Sequence, residues 1–244
     1  MVDARSAHGA QPTLAILSYH KIGGPSPGAW QTWYYVPDET FAEQLRQVRE
    51  LGWQIIDVST FLEGLQRPSA LPARAALITF DDGYRSVLEC ALPIMTELEC
   101  PGVIFVPTDY VGDISSFDEN SHEPPEAICS LDELSELEAG AVSVQSHGIS
   151  HRPFSDLSDA EIEDELVGSK AILEQGLGKT VELFAFAQGD GGRDPSGVSG
   201  ALRRAGYKAA CLFLGGPVRF PVSDPYRLAR IPIWPDTNIA AELS

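Results

Sequence analysis

Short apolar runs alternate with amphipathic stretches along the whole chain. The runs are "TLAILSYH" (13–20), "WQIIDVS" (53–59), "AALITFDD" (75–82), "GVIFVPTD" (102–109), "AVSVQSH" (141–147), "VELFAFAQG" (181–189), "KAACLFLG" (208–215) and "YRLARIPIW" (226–234). Between them lie helical patterns. Phe41, Leu45 and Val48 share one face of a helix from about Asp38 to Leu51. Further helices are expected at about Ser86–Glu99, over "LDELSELEAG" with Gly140 as its C-cap, near 158–175, and over "SGALRRAG". Ser158 followed by Glu161 is a capping box.

Most runs are apolar on both faces, and strands alternate with helices without interruption. That pattern predicts a parallel sheet covered by helices, in the α/β class. Seven or eight βα units in 244 residues fit a closed TIM-like barrel better than an open doubly wound sheet, which stays as the alternative. Residues 1–12 are polar and read as a flexible tail, leaving 13–244 as a single domain. The stretch "GDISSFDENSHEPPEAICS" (112–130) is an acidic loop, read as a solvated loop, a lid or a substrate wall, with His122 exposed and idle.

Charge narrows the partners. The formal net charge of −18 and a pI near 4.5 disfavour nucleic acid and anionic membrane surfaces. Cys90, Cys100, Cys129 and Cys211 show no CxxC spacing and read as buried thiols. The first residues show no basic region leading into an apolar core, and no run approaches about 18 apolar residues. A cytoplasmic location is therefore expected.

In a barrel of this kind, chemistry collects at the carboxyl ends of the strands. There the chain places His20, the adjacent Asp81 and Asp82, His147 and His151, Gln188 with Gly189, and Trp234. Asp-Gly is also an ordinary turn pair, and HxxxH spacing arises by chance. Yet two of the five histidines fall on the face that carries the double carboxylate. Two histidines and one carboxylate leave coordination positions open, as a catalytic metal site requires. The same donor set also serves Fe(II) oxygenases, a different class of enzyme.

"TFDDGY" with a later "SHGISH", after "LSYHKIG" and "YVPDETFAEQLRQVRELGW", resembles the polysaccharide deacetylases, the NodB-homology or family 4 carbohydrate esterase group. The opening segment is most similar to the branch acting on poly-N-acetylglucosamine, and the likeness runs from about Leu14 to Trp234. The resemblance implies a distorted (β/α)7 barrel and a metal-dependent deacetylase cutting an amide carbon–nitrogen bond. It implies Asp81 as general base and Asp82, His147 and His151 as ligands of one divalent ion, with Zn²⁺ first and Co²⁺, Ni²⁺ or Fe²⁺ as alternatives. It further implies Arg230 as the residue orienting Asp81.

Two departures stand out. Where the family's third motif reads like "FAYPYG", this chain has "FAFAQGD", so Ala187 and Gln188 replace Pro and Tyr. A backbone oxyanion donor at Gln188 survives that change, while an aromatic wall does not. The side chain of Gln188 is then a candidate substrate contact. The family's late histidine acid is also missing, since no histidine follows His151, and His20 is the candidate to replace it. Trp30, Trp33 and Trp234 are candidate sugar contacts, whereas Tyr34 and Tyr35 lean toward packing. The expected substrate is a small or oligomeric N-acetylated amino sugar. The alternatives are a poly-N-acetylglucosamine polymer and a non-catalytic binding relative.

Overall fold

The computed structural model describes residues 11–120, 122–140 and 142–244, so most of the expected 1–12 tail lies outside the described residues. Strand β1 (Thr13–Tyr19) is paired in parallel with β2 (Arg74–Phe80), from Thr13 opposite Arg74 to Tyr19 opposite Phe80. The parallel order continues through β3 (Gly102–Val106), β4 (Val142–Ser146), β5 (Leu183–Ala185) and β6 (Ala209–Cys211). Strand β7 (Ile231–Pro232) returns to β1, with Leu17 opposite Ile231. A parallel bridge between Cys211 and Leu228 carries the seam from β6 toward β7. The sheet therefore curls into a distorted parallel barrel, as the alternating pattern predicts.

Alternation along each strand splits the core in two. Leu14, Ile16, Ala75, Leu77, Val103, Phe105, Leu183, Ala185, Ala209 and Cys211 cluster as an inner set. Ala15, Leu17, Tyr19, Ala76, Ile78, Phe80, Ile104 and Val144 belong to the other cluster, with the helices. Those helices are α1 (Asp38–Glu50), α2 (Val58–Gln66), α3 (Leu92–Glu97), α4 (Leu131–Ala139), α5 (Asp159–Leu177), α6 (Pro195–Ala205) and α7 (Ile239–Glu242). Ser158 caps α5 in the expected box with Glu161, and Ser130 with Glu133 forms a second box on α4 that the sequence reading passed over.

Several apolar runs are longer than the strands they produce. "WQIIDVS" yields only the two-residue strand Gln54–Ile55, because Ile56 and Phe61 turn into the inner cluster with Leu71, and α2 packs across the amino-terminal end of the barrel. The run 181–189 leaves the ladder after Ala185, where Gln188 adopts a left-handed conformation (φ 55). The helix expected from Ser86 begins as a π-turn over Val87–Ala91 before α3. Among the described residues, no helix is long and apolar enough to cross a membrane. The four cysteines are unbonded, and all but the half-buried Cys90 are buried, in line with their reading as thiols.

Candidate active site

The carboxyl ends of the barrel strands open into a cavity of about 530 Å³. His20, Asp81, Asp82, His147, His151, Gln188 and Gly189 all line it. Their convergence follows from register. Asp81 and Asp82 follow β2, the Asp81 N–H donates to the Tyr19 carbonyl of β1 at 3.0 Å, and the His147 N–H donates to the Val106 carbonyl of β3 at 3.0 Å. Asp82 (φ 70) and Gly83 (φ 76) then turn the backbone out of the strand through left-handed conformations. A Cβ at Gly83 would meet Val106 Cγ1 at 3.1 Å and Ile128 Cγ2 at 3.2 Å, so glycine both frees the turn and clears the space. Left-handed backbone is costly outside glycine, yet Asp82, His151 and Gln188 all adopt it at the cavity.

The adjacent carboxylates avoid mutual repulsion by taking different partners. Arg230, fully buried, donates from Nη1 and Nη2 to the two oxygens of Asp81 at 2.7 Å each, and from Nε to the Leu212 carbonyl at 2.7 Å. This two-pronged ion pair is the geometry in which guanidinium and carboxylate interact most strongly. Burial alone would raise the Asp81 pKa, but Arg230 and His147 outweigh it and hold the carboxyl below its ordinary value.

Asp82 turns the other way. Its Oδ1 lies 3.0 Å from His151 Nε2 and 3.3 Å from His147 Nε2, yet is buried without a well-formed hydrogen bond. His147 Nδ1 donates to the Ala185 carbonyl at 2.8 Å, so in the neutral ring the Nε2 lone pair faces Asp82. Lone pairs thus converge from three residues whose donor atoms all lie within 4.8 Å of one another. Burial opposes a charged His147, but Asp82 and Asp81 raise its pKa above the usual value. Asp82, His147 and His151 therefore fit one divalent ion in donor type and geometry.

His20 lines the cavity beside Asp81. Its Nε2 is 3.9 Å from Asp81 Oδ2, and its ring is boxed by Tyr34 (centroids 4.6 Å apart), Phe213 (5.5 Å) and Trp234 (6.5 Å). Burial lowers its pKa despite the carboxylates nearby. Trp234 and Trp33 stand next to Tyr34 and behind the wall, with Trp33 stacked on Tyr34 at 4.1 Å and edge-on to Trp234 at 4.2 Å. Trp30 lies farther out and donates its indole N–H to the His122 carbonyl at 3.2 Å. Of the two tyrosines, Tyr35 is buried packing, but Tyr34 lines the cavity. An aromatic wall is present after all: Phe213, against which Gly189 packs, and Tyr34 supply it in place of the third motif.

The sequence reading missed Tyr84, Phe117, Asp118, Glu123 and Phe213, which complete the lining. Phe117 stacks on His151 with centroids 4.1 Å apart. The acidic loop is tied to the barrel by buried Lys21, which donates to Glu123 at 3.2 Å, lies 3.7 Å from Asp118, and sits over the Tyr35 and Tyr84 rings. A lysine directly after His20 at the end of an apolar run, followed much later by a carboxylate-rich loop, was the available signal. Nothing in local spacing pairs residues that far apart. His122 is exposed, as expected.

Comparison with known proteins agrees with this architecture. Streptococcus pyogenes deacetylase PplD, in complex with acetate, superposes with a TM-score of 0.80 at 20% identity, covering 96% of this chain and 99% of that one. IcaB from Ammonifex degensii gives a TM-score of 0.77 at 24% identity over 92% of this chain and 93% of the other. A polysaccharide deacetylase-type protein of Bacillus subtilis, YxkH, is 23% identical over 179 residues, 72% of this chain and 57% of its own length. The poly-β-1,6-N-acetyl-D-glucosamine N-deacetylase of Escherichia coli O157:H7 is 30% identical over 105 residues, 41% of this chain and only 15% of that protein. The chain thus spans little more than half of the first of these curated relatives and a small part of the second. Residues 69–210, more than half of the chain and including the double carboxylate and the histidine pair, match the polysaccharide deacetylase family, and the chain belongs to that family of N-acetyl hydrolases.

Proposed function

We propose that the chain removes the acetyl group from an N-acetylated amino-sugar unit, with Asp81 as general base and one divalent ion held by Asp82, His147 and His151. The observation that carries this reading is the pair of neighbouring carboxylates with opposite partners on one cavity wall, Asp81 tied to Arg230 and Asp82 left to the histidines. An ion in that site supplies the charge that makes water nucleophilic near neutral pH and polarises the acyl oxygen. Nitrogen and carboxylate donors suit Zn²⁺ first, with Co²⁺, Ni²⁺ or Fe²⁺ accepting the same set.

Arg230 holds Asp81 ionised and in one orientation, ready to take the proton of the attacking water. Negative charge then develops on the former carbonyl oxygen. The Gln188 backbone N–H, which has no hydrogen-bond acceptor among the described residues, is the donor assigned to it. The leaving amine needs a proton, and Asp81 now carries one. His20 is kept neutral by burial, so we assign it to holding the substrate through its ring N–H rather than to acid catalysis.

An oligosaccharide suits a cavity lined by the Tyr34 and Phe213 rings, beside which the Gln188 side chain is exposed. A poly-N-acetylglucosamine-type polymer is the second reading, favoured by Trp30 and Trp33 being 52% and 53% exposed. The test is acetate release by Zn²⁺-loaded protein from N-acetylglucosamine monomer, short oligomers and polymer of β-1,4 and β-1,6 linkage. A KM that falls from monomer to short oligomer and then levels supports the first reading, and one that keeps falling supports the second. No acetate from any of them, with metal bound, overturns both.

A further inference from the structure

Helix α5 buries Ile162, Glu165, Leu166, Ser169 and Leu173 along one face. A glutamate in that apolar row, 8% exposed, must find hydrogen-bond partners. It finds them in the link between the two histidines. The Ile149 N–H donates to Glu165 Oε2, the Ser150 N–H to both carboxylate oxygens at 3.2 Å, and the Ser150 hydroxyl to Oε1. Among the described residues Glu165 has no ion-pair partner, so its charge is met by these donors alone.

The opposite edge of the link is held as well. The Thr108 N–H donates to the Gly148 carbonyl at 3.0 Å and the Asp109 N–H to the Ile149 carbonyl at 3.1 Å. A Cβ at Gly148 (φ +83) would stand 2.8 Å from Glu165 Oε2, so glycine makes room for the carboxylate as well as for the turn. Ser169, one turn along α5, accepts from Ser146 Oγ at 2.8 Å, and Ser146 Oγ accepts the Gly148 N–H at 3.2 Å. The chain leaves this clamp at His151 with φ 57.

The two histidines are oriented by different means. His147 is fixed by its own ring bond to Ala185. The His151 ring stacks on Phe117, and its placement depends on the backbone that delivers it. We infer that Glu165 is a positioning residue for the ion: by gathering the Ile149 and Ser150 donors it sets the strained turn that brings His151 Nε2 to Asp82. This inference rests on the reading that Asp82, His147 and His151 hold a metal. Partners one step beyond the ligands commonly govern metal affinity in this way.

The test is Zn²⁺ affinity, measured on the full chain by competition with a chromophoric chelator, with folding checked by near-UV circular dichroism. Glu165→Leu keeps the bulk and removes the acceptors, and is expected to weaken Zn²⁺ binding about 10- to 100-fold. Glu165→Gln keeps an oxygen for the loop N–H groups and is expected to stay within about threefold of the parent. A folded E165L that binds Zn²⁺ as tightly as the parent overturns the inference and leaves Glu165 a purely structural residue. Should E165L fail to fold, Glu165→Asp carries the same test, since a side chain one methylene shorter draws back from the loop. Unchanged affinity there overturns the inference equally. A parent protein that binds no Zn²⁺ overturns the metal reading itself, which keeps the two failures apart.

Discussion

Asp81 and Asp82 are adjacent in sequence and opposite in circumstance, and their difference is testable residue by residue. Asp81→Asn keeps the shape and removes the proposed base. Acetate release should fall roughly 100- to 10,000-fold in kcat/KM while Zn²⁺ stoichiometry is unchanged. Arg230→Met leaves a carboxylate buried without its counter-charge, which should cost about 3–5 kcal/mol in urea unfolding. Asp81→Asn combined with Arg230→Met should recover most of that loss, because neither buried charge remains. The convergence of these residues on one cavity was legible in the sequence because carboxylates and histidines at the ends of apolar runs are chemically conspicuous. Phe117, Asp118 and Glu123 were not, since they sit in a loop without periodicity, and Phe213 was not, since an aromatic within an apolar run reads as core; all four reach the cavity through tertiary contacts.

At the scale of elements, hydrophobicity foretold burial better than it foretold pairing. The run 181–189 is buried from Leu183 through Ala187, but only Leu183–Ala185 pairs as strand, because the chain must turn at Gln188 to face the cavity. The capping box of α5 was legible because its signal is local, and it carries a pH prediction. Hydrogen bonds from Ser158, first backbone and then side chain, with Arg152, lower the Glu161 pKa to about 2. A lowered carboxyl pKa stabilises the fold above its unfolded value of about 4.3, and the benefit is lost as pH falls through the folded value. The Tm gap between the parent and Glu161→Gln should therefore be present at pH 6 and narrow steadily below about pH 4.5. The acidic loop, by contrast, is pinned through its carboxylates: Asp118 to Tyr84, Glu123 to Lys21 and Thr32, and Glu126 to Ser26 and Tyr35. Lys21→Met removes the cation buried between Glu123 and Asp118 and should loosen the loop, so that limited proteolysis within 112–126 becomes faster than in the parent.

Across the whole molecule, a net charge of −18 surrounds a site whose donor set fits a cation. Free Zn²⁺ at about 100 times its Kd should stabilise the fold by about 2.7 kcal/mol. In a domain of this size that corresponds to a chelator-induced fall of roughly 5–10 °C in Tm. The parallel barrel was legible from uninterrupted alternation of strand and helix. Its irregular seam was not, because the run 226–234 pairs only at Ile231–Pro232 and touches β6 through a lone bridge at Leu228. That seam also has a consequence for synthesis. Asp81 leaves the ribosome 149 residues ahead of Arg230, and Leu17 must wait for Ile231 to complete its edge. Until then a nascent chain carries an uncompensated carboxylate beside an unzipped strand, the kind of exposed edge that invites aggregation. Docking of the last strand gives Asp81 its counter-charge and seals the edge in one event, so a chain stopped short of Arg230 lacks both.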